Sequence, residues 1–109
     1  MYELNFTKSD CEIIELALSI FPVYQQEIGH ISSAQAQRNS SLCISAAKKL
    51  FYRRTDFSIN EWRVITAGLI LMQEIARGEI SADAETKAES SKYFIPIGIL
   101  LSKLPELPS

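Results

Sequence analysis

The 109 residues are 47% hydrophobic, 22% charged and 9% aromatic, the balance of one soluble globular domain, long enough for one hydrophobic core and too short to divide into two. Eleven Lys and Arg against thirteen Asp and Glu give a net charge of −2 and a pI near 5.4. That balance excludes a global positive field for nucleic acid or an anionic membrane, so any such contact has to be local.

Met1 to Leu18 already carries five acids or amides, which does not suit the apolar run of a secretory leader. Cys11 and Cys43 lie in apolar stretches without a C-x-x-C spacing, and with no leader they read as free thiols in a reducing cytoplasm. The longest apolar run, Phe94 to Leu101, is interrupted by Pro96 and Gly98 and falls far short of the roughly 20 residues that cross a bilayer. No membrane partner is expected.

Three capping boxes mark helix starts: Thr7 with Asp10, Ser32 with Gln35, and Ser58 with Glu61. In each, a hydroxyl satisfies a free N–H three residues on, and the side chain there reaches back. The first helix, about 8–28, repeats Ile14, Leu18 and Phe21 beside Ile13, Ala17, Ile20 and Tyr24, with Pro22 on the opposite, outer stripe and Gly29 as its stop. The second, about 33–54, is expected to bury Ala36, Cys43, Ala47, Leu50 and Phe51. The third, about 59–77, buries Trp62, Ile65, Leu69, Met72 and Ala76, widened by Val64, Leu71 and Ile75, and Gly78 stops it. Its start is reinforced by Phe57 before the cap and Trp62 at the fourth helical position, the spacing of a hydrophobic staple.

After Gly78 the pattern changes. Ser81 to Lys92 is alanine-rich and polar, whereas Tyr93 to Leu104 is nearly all apolar, so the segment reads as one helix kinked at Pro96 or as two short ones. Short connections make successive helices antiparallel neighbours. The expected fold is all-α: a single-domain up-down four-helix bundle over 1–104, its last helix kinked or broken near Pro96, followed by a tail at 105–109. A shift of 51 residues lays Phe6-Thr7 and Asp10 on Phe57-Ser58 and Glu61, the pattern of two related helical hairpins, although caps and core positions of any two amphipathic helices align in this way.

Catalytic, cofactor and metal constellations are not found. Glu27 and His30 have the spacing of one half of a di-iron pair, but no second histidine exists to complete it. His30 follows the first helix while Cys11 begins it, about 28 Å away at 1.5 Å per residue, so the two do not form a nucleophile and base. There is no Walker loop, no Gly-x-Gly-x-x-Gly and no Gly-x-Ser-x-Gly. The expected protein is not an enzyme.

Two surfaces stand out. Residues 1–30 carry one Lys and five acids, a charge of −4, while 31–57 carry five basic residues and one acid, a charge of +4. Opposite charge on neighbouring helices reads as mutual attraction, or Lys48, Lys49, Tyr52, Arg53 and Arg54 form an exposed basic and aromatic patch for a partner. In the last segment the apolar residues cover more than one helix face, which marks Ile97, Leu100, Leu101 and Leu104 as an expected self-association surface. The resulting expectation is a small cytoplasmic helical protein that binds another protein, as an adaptor, inhibitor or antitoxin-like regulator, or that binds itself as a homodimer. The alternative is a nucleic-acid-binding regulator that uses the basic patch of the second helix.

Overall fold

Local chemistry starts the helices where the caps fall. The structure, a computed structural model, describes residues 6–105. Helix α1 spans Lys8–Tyr24 and runs into a 3₁₀ turn at Gln25–Glu27, α2 spans Ser33–Phe51, α3 Ile59–Ala76, α4 Ala84–Lys92 and α5 Phe94–Lys103. No strand occurs among the described residues. The Thr7/Asp10 and Ser58/Glu61 boxes are complete in both directions. At Ser32 only half forms: its hydroxyl accepts from the Gln35 N–H, but the Gln35 amide bonds Asn39 and Arg38 instead of reaching back. A fourth cap, Asp83 to Thr86, opens α4.

Helix ends differ from the expected ones for physical reasons. Gly29 is not the stop of α1, which tightens into the 3₁₀ turn five residues earlier. There the buried Gln25 amide donates to the Pro22 and Ala36 carbonyls and to Ser40, and its oxygen accepts from Asn39, tying the end of α1 to α2. Pro22 is half-buried rather than fully outward. Helix α3 ends in a Schellman motif with Gly78 at φ 79°, where the Glu79 N–H bonds the Glu74 carbonyl and the Gly78 N–H bonds Ile75. Helix α2 ends in the same motif, but Arg53 occupies the left-handed position at φ 57°.

Helix α3 is the hub, packing on each of the other four helices. Its Ile65, Leu69, Leu71, Met72 and Ile75 have no exposed surface, and they meet Ile13, Ile14, Ala17, Leu18, Ile20 and Phe21 of α1. A Cβ on Gly68 would lie 2.9 Å from the Ala17 carbonyl oxygen, so the α1–α3 crossing is set by the absence of a side chain there.

The C-terminal segment is two helices that meet at Tyr93, one turn before the proline. Pro96 has no N–H for the Lys92 carbonyl and its ring would strike that group, so the α4 ladder cannot continue; in the first turn of α5 the same residue is tolerated. Helix α4 buries only Ser90, and the core beneath it is filled by Ile97 and Leu100 of α5. The expectation that Ile97 and Leu100 form a self-association surface is therefore corrected: both are core residues of their own chain, and Leu101 and Leu104 are half-buried against the same cluster. Of the expected tail, residues 106–109 lie outside the described residues.

Phe51 is the other correction. Taking Cys43 as the centre of the buried stripe of α2, a 100° step per residue puts Leu50 about 20° from that centre and Phe51 about 80° away. Phe51 is accordingly 80% exposed.

Candidate functional site

The five residues of the expected basic patch have different fates. Lys49 is turned inward. Its Nζ lies 2.6 Å from Glu61 Oε1 and 3.0 Å from the Asp56 carbonyl oxygen. Glu61 is buried, caps α3 through the Ser58 N–H, and accepts from Ser45 Oγ at 2.7 Å. Burial pushes its carboxyl up, but the bonds from Lys49, Ser58 and Ser45 outweigh that and hold it below the ordinary value. Arg54 forms a two-pronged pair with Asp56 on the surface, which lowers the Asp56 carboxyl through that hydrogen bond. Lys48, Tyr52 and Arg53 remain exposed, and Lys48 and Arg53 form no ion pair among the described residues.

What the periodicity alone did not reveal is the apolar company of these three. Phe51 and Tyr52, 80% and 71% exposed, pack edge to face with ring centroids 5.2 Å apart. One face of α1 and α2 adds Ile44 and Val23, 61% and 72% exposed. Surface hollows connect them. One of about 400 Å³ lies between Cys11 and Glu15 of α1 and Ile44, Lys48 and Phe51 of α2. Through Ile44 it meets a hollow walled by Pro22 and Val23, and through Phe51 one edged by Lys8 and Arg53. The central hollow is floored by Ile44, Ala47, Leu50 and Phe51, while the hollow beyond Ile44 is walled mainly by glutamine and serine side chains, among them Gln26, Gln37 and Ser41. Glu15 and Lys48 stand on opposite sides of the central hollow.

Reactive chemistry is poorly supplied. Burial raises the Cys43 thiol to about 11, and burial with the nearby Asp10 charge raises Cys11 as well, so neither is a ready thiolate. The Glu61 carboxylate is fully engaged by its three donors. Among the described residues no three His, Cys, Asp or Glu side chains gather closely enough to hold a metal ion, and no helix is long and apolar enough to cross a membrane. The α1–α2 face offers exposed apolar area with charged side chains at its edge. On α5 a second, smaller outward pair, Ile95 and Ile99, is 73% and 55% exposed.

The chain matches no protein-family model, and neither a curated protein nor a solved structure is significantly similar to it.

Proposed function

We propose that this chain is a non-enzymatic protein-binding module, a cytoplasmic adaptor, inhibitor or antitoxin-like regulator, whose working surface is the α1–α2 face. The observation that supports this reading is the run of three large apolar side chains left outward along the furrow, Val23, Ile44 and Phe51, with the exposed Tyr52 ring packed against Phe51. Aromatic residues backed by a packed helix pair are the kind of anchor on which interface energy concentrates.

A second reading, binding to nucleic acid, is favoured by Lys48 and Arg53 beside the Phe51–Tyr52 ring pair. It has less support, because Lys49 and Arg54 are engaged by acids and Glu15 borders the same furrow.

A photo-crosslinking residue placed at position 51, with position 99 as the comparison, tests the reading in cells that express the chain. The reading expects protein adducts at 51 and few at 99. Nucleic-acid adducts at 51 would replace it with the second reading, and adducts confined to 99 would move the surface to α5.

A further inference from the structure

We infer that the occupant of the α1–α2 face is a second copy of this chain, related by a two-fold axis that runs along the furrow; this rests on the proposal that the face is a binding surface. Opposite charge on α1 and α2 suggests that the two helices neutralise each other, yet no ion pair joins them among the described residues. Glu15 on the α1 side and Lys48 on the α2 side face the same hollow and leave each other unbridged. At its centre the face therefore sets an acid on the α1 side, apolar side chains between, and a base on the α2 side.

Such a face is complementary to itself in one orientation. Rotation by a half turn about an axis along the furrow lays α1 of one copy over α2 of the other, at the same height. Glu15 then meets the second copy's Lys48 twice over, while Ile44 and Phe51 meet their own equivalents in the middle. A half turn about an axis across the furrow would set acid on acid and base on base. An acidic partner would be repelled by Glu15 with Glu12 one turn before it, and a basic one by Lys48 and Arg53. A second copy satisfies Glu15 and Lys48 together. Lys8 and Arg53 edge the hollow at the outer end of the furrow, where the same half turn brings base near base, a like-charge cost set against the two Glu15–Lys48 pairs at the centre.

Sedimentation equilibrium of the full chain across micromolar concentrations tests this, with circular dichroism to follow helicity. The wild type should show about twice the chain mass of 12.3 kDa. Glu15→Lys or Lys48→Glu alone should weaken association by about tenfold or more, and the two together in one chain should restore it. Phe51→Ser should give a helical monomer. A wild type that stays monomeric overturns the second copy as occupant, and protein adducts of other mass at position 51 would then leave the binding reading standing. A dimer whose single charge variants are not rescued by the double variant overturns the orientation. A dimer indifferent to Phe51→Ser overturns the face itself.

Discussion

Lys49 Nζ sits 2.6 Å from Glu61 Oε1, across the loop that joins α2 to α3, with the Glu61 side chain only 3% exposed. The pair removes one cation from the surface and locks the first turn of α3 to the last turn of α2. Removing one member of a buried pair leaves the other uncompensated, so Glu61→Gln should lower stability by about 3 kcal/mol in urea unfolding. Lys49→Met should also destabilise, because it strands the carboxylate. A change near zero for both would place the pair in solvent.

The same pair sets a pH dependence. Glu61 is held below its unfolded value, and Asp83, through the 2.6 Å bond from the Tyr24 hydroxyl and the bonds from Thr86, is held at about 2. Groups lowered on folding contribute fully above the ordinary carboxyl range, and that contribution is lost as pH falls through the folded values. The urea midpoint should therefore fall between about pH 5 and pH 2. Glu61→Gln should flatten the fall, and Tyr24→Phe should flatten its most acidic part.

Gly68 against the Ala17 carbonyl gives a test of the α1–α3 crossing. An added methyl overpacks by about 1–3 kcal/mol, against about 1 kcal/mol gained in helix propensity, and backbone is what it strikes. Gly68→Ala should therefore be net destabilising, and Ala17→Gly in the same chain should rescue it only in part. A stabilised Gly68→Ala would mean that the two helices stand further apart.

The starts of α1, α2 and α3 were legible because a cap is a local device: Thr7, Ser32 and Ser58 need only the residue three positions on, whereas the Asp83 cap of α4 was missed and α5 begins without a side-chain cap. The α1 and α3 faces were legible because both are crowded with aliphatic side chains on one stripe. Phe51 was misread because Leu50 beside it already occupies the buried stripe. Lys49 was counted as surface because its partner, Glu61, comes into reach only when α3 folds back. Ile97 and Leu100 looked surplus because the apolar residues of the last segment cover more than one helix face, whereas α4, with only Ser90 buried, leaves the core beneath it to α5.

Ser90 is itself informative. Its hydroxyl is buried with no hydrogen-bond partner among the described residues, under the α3–α4 contact. Ser90→Ala should stabilise the chain by about 1 kcal/mol, since it removes a desolvated polar group and favours the helix. A loss of stability would reveal a partner for that oxygen.

Arg53 holds a left-handed backbone that costs a side-chain-bearing residue about 1–2 kcal/mol and glycine almost nothing. Arg53→Gly should raise the thermal midpoint. If the guanidinium serves only the Schellman turn, nothing else changes; if it belongs to the docking face, binding of the captured partner changes as stability rises.

Backbone amide mapping by NMR locates most directly where this chain meets its partner, which is expected on the α1–α2 face. Spectra of the chain diluted from millimolar to micromolar concentration, and with any partner captured at position 51, should show shifts along the furrow at Cys11, Glu15, Val23, Ile44 and Phe51, with α5 unmoved. Shifts gathered at Ile95 and Ile99 while the furrow stays silent would contradict that placement.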